Sequence, residues 1–432
     1  MEKSLPPTPA ASMAIIDPAT LLAEKDIRHN VRVNVLVAAV FQIGAADMAL
    51  AAGPLLVFLD ASNTMIGLIN GLGWMALLGV FLSPYISRRC PRKKLYMFWA
   101  QVPYIAAWGL IGVVVLLSGA LGLSNSTLLT LLIALSAANV FFSGFVTLPC
   151  QEFLAACIPM SHRGRYTGFS MSVGAIGSLV SSAAGGLILL HLAKPMAFGW
   201  LYVIFWVLAQ GGCALALLAR EPEVKLAEVP KPWSRGMFAA LWEDRKFQRV
   251  LVANILFFAV IFPCTVFLPI YGYKVLGMSA ATAALIAIIQ QVARLLLAAH
   301  IGIWTDRIGA KHMTPLWFGL AGLSMTPMFI SQSPIALYIT VGLQAVCFSG
   351  IMAAFNPLLL GTPKPEHRSG HYSTQIILRS ALDAAGMMLT GLLIDRISFN
   401  SYFIIWSIAA LVLALLVARI LAPLSESAAD YS

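Results

Sequence analysis

The amino-acid sequence predicts an all-α integral membrane protein with twelve transmembrane helices in two pseudo-symmetric six-helix halves. Three observations favour this fold. The chain of 432 residues is 59% apolar and only 11% charged, whereas soluble globular proteins carry about 25% charged residues. Apolar stretches of about 20 residues, the length at which a helix spans a bilayer, recur along the chain. One long polar interior segment divides them six and six.

The apolar stretches give the predicted transmembrane helices in chain order. Short polar or basic loops separate them, as expected for helices that cross a membrane and turn back. The longer stretches predict tilted helices. The predicted spans are 33–59, 65–87, 95–118, 126–157, 166–192, 197–219, 248–274, 280–304, 313–331, 334–361, 372–394 and 400–421.

Basic residues are distributed unequally between the two sets of loops. Of the 28 Lys and Arg residues, 23 lie on the side of the two termini. Only Lys194, Lys274 and Arg396 lie on the other side. Because basic loops remain in the cytoplasm, this asymmetry predicts cytoplasmic termini and a cytoplasmic central linker. It also accounts for the net charge of +10 without a nucleic-acid partner.

These boundaries define the predicted domain organisation. The Asp17-Pro18 pair predicts a short helix in the N-terminal tail, and the apolar residues of 234–247 predict an interfacial helix in the linker. The predicted units are a cytoplasmic tail (1–32), an N-terminal half (33–219), a cytoplasmic linker (220–247), a C-terminal half (248–421) and a second tail (422–432).

The sequence carries no pattern typical of an enzyme or a cofactor-binding protein. The six cysteines lack close metal-ligand spacing, and all but Cys90 fall within or at the ends of apolar spans, so we expect reduced thiols without disulfides. A G-x-x-x-x-G-K-[ST] loop is absent from the sequence, and the seven histidines are scattered along it apart from His367 and His371. We therefore expect no catalytic residues, no cofactor and no metal site.

The two predicted halves repeat each other in sequence. Residues 162–166 (His-Arg-Gly-Arg-Tyr) follow span 4, and residues 367–372 (His-Arg-Ser-Gly-His-Tyr) follow span 10. Residues 302–311 follow span 8, and residues 83–94 stand at the same place after span 2. Paired six-helix halves are typical of transporters, which place the substrate site near mid-membrane between the halves.

From about residue 33 to residue 421 the chain resembles the major facilitator superfamily. Gly302, Asp306, Arg307 and Gly309 match that family's G-x-x-x-D-R-x-G loop signature. In the family this loop is a cytoplasmic latch. The resemblance implies that its aspartate lies near a helix N-terminus of the other half, where the helix dipole stabilises an anion.

The first-half copy of the loop departs from the signature. Arg88 is present, but Ser83 and Ser87 replace the glycine and the aspartate, and Cys90 replaces the second glycine. The resemblance therefore implies a one-sided latch.

Four charged residues lie near the middle of predicted spans: Asp47, Arg294, Arg379 and Asp383. Charges within a membrane are costly and usually functional, so we expect them to bind the substrate or a coupling ion. Arg379 and Asp383 are one helical turn apart, which fits either a structural ion pair or a substrate site. The four charges sum to zero and do not require a charged substrate.

Polar residues on three spans extend the predicted site. Arg294, with Gln290 and Gln291 beside it, can bind a carboxylate or phosphate through two hydrogen bonds. Alternatively, Arg294 forms an ion pair with Asp47. In the family, spans 1, 4, 7 and 10 line the central cavity. Asn139, Ser143 and Thr147, each four residues from the next, form a polar stripe on span 4. The resemblance thus implies that this stripe and Gln344 of span 10 face the cavity. The alternative for the stripe is hydrogen bonding between helices.

The resemblance implies a secondary active transporter that moves a small solute or ion by alternating access. Proton coupling fits, with Asp47 as the leading carrier. Two alternatives stay open: a metal-cation (iron) transporter, as magnetosome-associated members of the family are thought to be, and a non-transporting sensor or assembly protein. We expect a monomer, with the lipid bilayer and the substrate as its partners. The expected location is the bacterial inner membrane or a membrane derived from it.

Overall fold

The computed structural model describes residues 22–87, 90, 92–158, 160–221, 244–362 and 368–424. Over these ranges the chain forms twelve long helical elements, which confirms the predicted all-α fold. The first half contains α1 (Glu24–Phe58), α2 (63–87), α3 (Lys93–Leu117), α4 (Asn125–Cys157), α5 (Met160–His191) and α6 (Met196–Leu215). The second contains α7 (Arg245–Lys274), α8 (Ala280–Ile308), α9 (Ala310–Ile330), α10 (Pro334–Gly361), α11 (Arg368–Ile397) and α12 (Phe399–Leu421).

Three of these elements are interrupted where the sequence predicts one continuous span. A 3-10 turn at Gly71–Trp74 divides α2, and a π turn at Phe257–Ile261 divides α7. The element α9 consists of Ala310–Leu323 and Thr326–Ile330. Hydropathy reports the length of apolar chain, but it carries no information on a local change of backbone hydrogen-bond register.

Lipid is the solvent for most of the helical surface. Eleven helices of the described chain are long and apolar enough to cross a membrane. The remaining element, α8, has 29 residues, of which Ala284–Leu297 form its apolar stretch. Large apolar side chains face outward, such as Ile330 at 80% and Leu415 at 70% exposure. A soluble monomer does not tolerate so much exposed apolar surface.

Helix caps repeat between the halves as the helices do. Ser62 caps α2, and Ser279 caps the equivalent helix α8. Ser124 caps α4, and Ser333 caps its equivalent, α10. In each case the serine hydroxyl accepts a hydrogen bond from the backbone N–H three residues later, which satisfies a donor that the helix leaves unpaired.

Several helices begin earlier than the apolar pattern predicts. The start of α1 is at Glu24, not near residue 33. Its polar first turns are held by Asn30, whose Nδ2 donates to the carbonyls of Cys157 and Arg220. Such bonds extend a helix beyond the apolar stretch that reveals it. The predicted tail helix at Asp17 lies outside the described residues, as does segment 234–243 of the predicted linker helix.

Helix packing follows the pseudo-symmetry. Within the halves, α2 packs on α4 as α8 packs on α10, and α3 packs on α4 and α6 as α9 packs on α10 and α12. The main contacts between halves are α2 with α11 and α5 with α8. We call the end of the bundle that carries both chain termini the terminal end, and the opposite end the distal end.

Candidate functional site

A cavity of about 550 Å³ lies between the two halves. Its wall comes from α1, α2, α3, α4 and α6 of the first half and from α7, α8 and α10 of the second half. It extends from the middle of the bundle toward the distal end. Its volume is that of a site for a small organic molecule. All four helices that the family resemblance implies, α1, α4, α7 and α10, contribute to its lining.

The second-half wall carries the charged and amide side chains of the cavity. Arg294 and Gln290 on α8 and Gln344 on α10 line it. The guanidinium carbon of Arg294 lies 5.6 Å from the ring centre of Phe348. The Nε of Arg294 is buried and has no hydrogen-bond partner among the described residues.

Gln344 is held in place by the neighbouring helix α9. Its Nε2 donates to the carbonyl of Ala321 at 3.0 Å and to the Ser324 hydroxyl at 2.6 Å. Both bonds are buried. The amide therefore has a fixed orientation at the cavity wall before any ligand arrives.

The first-half wall is aromatic and uncharged in the described part of the chain. Trp108 on α3 and Tyr202 on α6 stack with ring centres 5.8 Å apart and planes inclined by 14°. Both line the cavity, together with Ser136 and Asn70. The sequence did not predict these four residues. Trp108, Tyr202 and Ser136 share their spans with other aromatic or polar residues, so no local signal selects them, whereas Asn70 is the one amide residue within its apolar span.

The predicted span 4 stripe lies beside the cavity lining rather than within it. Asn139 is buried and donates to the carbonyl of Tyr104 on α3 at 2.7 Å. The hydroxyls of Ser143 and Thr147 donate to carbonyls of α4 itself. The cavity is lined instead by the adjacent face of α4, which includes Ser136. The arrangement of Asn139 corresponds to the interhelical alternative.

Gln291 is likewise not among the cavity-lining residues, although Gln290 and Arg294 on the same helix are. Consecutive residues of a helix are rotated by about 100°. The sequence spacing places both glutamines near Arg294, but only the tertiary packing decides which one faces the cavity.

Arg379 and Asp383 lie where α11 packs on α7. The guanidinium carbon of Arg379 is 3.5 Å from the ring centre of Phe258 in the π turn. Asp383 has one buried carboxylate oxygen without a hydrogen-bond partner in the described chain. One turn before Arg379, Gln375 donates to Asn254 of α7 at 2.7 Å. This polar stripe joins two helices of one half and is not part of the cavity lining.

Two parts of the predicted site cannot be placed in atomic detail. Asp47 belongs to α1, and Gly302 and Asp306 belong to the last turns of α8, but their side chains are outside the described part of the structure. Arg88 lies outside the described residues altogether.

The other two signature residues of that loop are placed. Arg307 is exposed. Gly309 joins α8 to α9 with a φ of 90°, a backbone conformation that favours glycine. This conformation explains the second glycine of the signature.

A carboxylate joins the two halves at the distal end. Asp395, near the end of α11, faces the first residues of α2. Its Oδ1 accepts from the backbone N–H and the Nδ2 of Asn63, at 3.1 and 2.8 Å. Its Oδ2 accepts from the backbone N–H and the hydroxyl of Thr64, at 2.8 and 2.7 Å. An acid at a helix N-terminus satisfies unpaired donors and the helix dipole together.

Small residues let α2 and α11 approach closely beside this carboxylate. A Cβ added to Gly391 would lie 2.2 Å from the carbonyl oxygen of Asn63. At Gly67 it would lie 2.5 Å from that of Met387, and at Gly71 2.9 Å from that of Ala384. Gly67 and Gly71 form a G-x-x-x-G pair, which is typical of close helix contacts in membranes. This pair was not predicted from the sequence.

Contacts between the halves thus close the distal end, whereas the hydrogen bonds among the described residues of the terminal end join elements of the same half. Lys274 donates to the carbonyl of Ala61 across the distal end. At the terminal end, Lys311 donates to the carbonyl of Leu424 within the second half. The Asn30 bonds described above hold α1, α4 and the end of the α6 region together within the first half.

Comparisons with known proteins agree with this architecture. The family model of the Major Facilitator Superfamily matches residues 35–299 and 273–430. Comparison with curated protein sequences finds no significant match.

Similar solved structures are those of membrane transporters. A mutant of the nucleoside transporter NupG aligns with a TM-score of 0.71 and 14% identity, covering 90% of this chain and 99% of that one. A POT family transporter in complex with 5-aminolevulinic acid gives 0.70 and 13%, covering 91% and 96%. An inward-facing, unoccupied bacterial homolog to the human lysosomal transporter Spinster gives 0.63 and 14%, covering 93% and 97%. At these identities the likeness shows the fold alone.

Proposed function

The chain belongs to the major facilitator superfamily, and from that premise we propose that it is a secondary active transporter, which moves a small solute by alternating access. The observation that carries this proposal is the cavity between the halves, closed at the distal end by α2 and α11. A cavity that opens alternately to each side of a membrane needs such a separable contact at each end.

The predicted topology gives this state an orientation. If both termini are cytoplasmic, as the basic residues predict, the distal end faces the periplasm. The structure then represents the state closed to the periplasm. Transport requires α2 and α11 to separate there while the terminal end closes, with the loop around Asp306 as the latch.

Location and assembly follow from the same reasoning. We infer a multi-pass protein of the bacterial inner membrane, or of a membrane derived from it, that acts as a monomer because one chain encloses the whole cavity. Fusing a periplasm-dependent reporter after residue 122 and after residue 228 tests the topology. Activity at the second position and not at the first contradicts it.

A reversible crosslink across the distal contact tests alternating access. Thr64→Cys and Asp395→Cys are introduced together into a background without the six native cysteines, and uptake of a solute panel is measured in proteoliposomes. Oxidation is expected to stop uptake and a reductant to restore it, since the locked halves cannot separate. Each single-cysteine variant is the control. Uptake that continues through the crosslink contradicts the mechanism.

We propose that uptake of the solute is driven by a proton gradient, with Asp47 as the residue that carries the proton. We expect Asp47→Asn to remove uptake driven by a pH gradient while exchange without a gradient continues, because a neutral amide cannot carry the proton. Asp383→Asn is the comparison variant, since Asp383 lies outside the cavity lining. Unchanged gradient-driven uptake by Asp47→Asn rules out this role, and loss of folded protein indicates a structural ion pair instead.

The cavity also bears on the metal-cation alternative. Among the described lining residues the one charged side chain is a cation, Arg294. This disfavours a bare metal cation as the solute, because like charges repel more strongly in a site of low dielectric. A protein that binds a solute and gives no uptake or exchange would instead be a sensor or an assembly protein.

A further inference from the structure

We propose that the solute is an organic anion with a planar apolar body, whose carboxylate pairs with Arg294 while the body lies between the aromatic walls of the cavity. The proposal rests on the proposed function for the solute to be transported, but binding can be measured without transport. Its three parts are the Arg294 guanidinium with an Nε that lacks a partner among the described residues, the two aromatic walls and the charge balance of the lining.

The cation is the strongest part. Arg294 lies in the middle of α8 with its Nε buried and without a hydrogen-bond partner among the described residues. A buried N–H without an acceptor is costly. A carboxylate satisfies a guanidinium with two parallel hydrogen bonds. The geometry therefore favours a ligand that brings the missing acceptor.

Arg294 is also oriented by its surroundings. Its guanidinium carbon lies 5.6 Å from the ring centre of Phe348, within the range of a cation–π contact. Phe348 is in turn packed against Phe262, with ring centres 5.7 Å apart. A guanidinium that lies against a ring keeps the N–H edge available, and that edge binds a carboxylate.

The aromatic walls fit an apolar, planar body. Trp108 and Tyr202 stack on each other in the first half, and Phe262 and Phe348 pack in the second. All four line the same cavity. A flat solute between them buries two faces against aromatic carbon. Gln290 also lines the cavity, and its amide suits a further ligand oxygen. The Nε2 of Gln344 is already engaged with Ala321 and Ser324, so its amide oxygen suits a ligand N–H or O–H donor.

The charge of the cavity lining predicts how many charges the solute carries. Among the described lining residues Arg294 alone is charged, so one carboxylate neutralises the site. The acid that could compete is Asp47, one turn before the lining residue Leu50 on α1. A proton on Asp47 would remove that competitor, which would couple proton binding to anion binding.

Binding to the purified full-length protein in detergent tests the proposal. Affinities are measured by calorimetry for 2-naphthoate, its amide 2-naphthamide and cyclohexanecarboxylate. We expect 2-naphthoate to bind about tenfold to a hundredfold more tightly than its amide, as a charge-assisted hydrogen-bonded pair implies. We expect cyclohexanecarboxylate to bind less tightly than 2-naphthoate, because it lacks a flat face.

Variants assign the effect to the cavity. Arg294→Gln is expected to abolish the preference for the acid over the amide, and Arg294→Lys to keep part of it. Arg419→Gln, an exposed change in the last turn of α12, is the control for lost positive charge. Phe348→Leu is expected to weaken 2-naphthoate more than cyclohexanecarboxylate.

Three results overturn the proposal: equal affinity for the acid and the amide, a preference that survives Arg294→Gln, or no carboxylate binding at all. The acid–amide comparison needs no variant, so a misfolded Arg294→Gln protein does not affect it. Tight carboxylate binding without uptake of the same compound would overturn the transport function and leave the ligand class standing.

Discussion

The contact described at the distal end and the latch proposed for the terminal end use the same physical idea, an acid at a helix N-terminus, but they differ in how easily the sequence reveals them. At the terminal end, the Gly302–Gly309 loop places an aspartate where the family resemblance implies a helix N-terminus. At the distal end, Asp395 accepts four hydrogen bonds from the first two residues of α2. The aspartate of the terminal segment belongs to a family signature, whereas Asp395 belongs to none, and the G-x-x-x-G pair beside it on α2 indicates only a close helix contact.

This difference shows which kind of contact leaves a local sequence pattern. The proposed terminal latch ends at Gly309, whose positive φ joins two helices, so the backbone conformation accounts for the glycine at that place in the signature. The distal latch joins residues more than 300 positions apart, and each part is ordinary by itself. We infer that the two latches alternate, each held in the state in which the other is open.

The largest effect is expected from a bulky side chain at the contact between α2 and α11, which prevents closure of the distal end. Gly391→Leu places side-chain atoms where α11 meets the Asn63 carbonyl, so the distal end cannot close as described. We expect the ratio of distal-closed to distal-open protein to fall by more than about tenfold, since overpacking typically costs 1–3 kcal/mol. Transport should be lost.

Labelling measures this shift. A cysteine at the cavity residue Ser136, in a background without native cysteines, is exposed to an impermeant maleimide from the distal side. Gly73→Ala is the matched control, because a Cβ there meets nothing within 4 Å. Distal labelling that is equal in the Gly391→Leu and Gly73→Ala proteins would show that α2 and α11 are not the gate.

Removing the distal carboxylate should have a smaller effect in the same direction. Asp395→Asn keeps a hydrogen-bond acceptor but loses the charge at the α2 N-terminus. Because Asp395 is exposed, we expect the distal-closed state to lose about 1 kcal/mol of stability relative to the distal-open state. Distal labelling should then increase roughly fivefold. Asp60→Asn neutralises another acid at that end and is the control. If both variants increase distal labelling equally, the effect comes from the loss of a negative charge at that end and not from the contact of Asp395 with α2.

An effect of similar size but opposite direction is expected at the proposed terminal latch. Asp306→Asn should weaken the terminal latch by on the order of 1 kcal/mol, with some of the closed contact retained by the rest of the loop. It should bias the protein toward opening at the terminal end, opposite to Asp395→Asn. Ser87→Ala, at the equivalent place in the first half, should change little. The same Ser136 cysteine, labelled from each side, shows whether the Asp306 and Ser87 variants differ.

Part of the fold and site followed from local sequence. Apolar length predicted twelve spans, because a bilayer has one thickness and each span must match it. The glycine of the 302–309 loop was predictable because backbone conformation is a local property. Arg294 and Gln290 were found as costly polar groups in an apolar span, a signal that does not depend on the neighbours.

The rest was decided only by the tertiary structure. Asn139 and Ser136 are both polar residues of one apolar span, yet helix packing turned the first toward α3 and the second toward the cavity. Asp395 directly follows predicted span 372–394, and nothing in that position indicates its contact with α2. Apolar length and backbone conformation are properties of a segment, and one sequence is enough to read them. The face that a helix presents, and the partner that a carboxylate finds, depend on the relative rotation and distance of segments far apart in the chain.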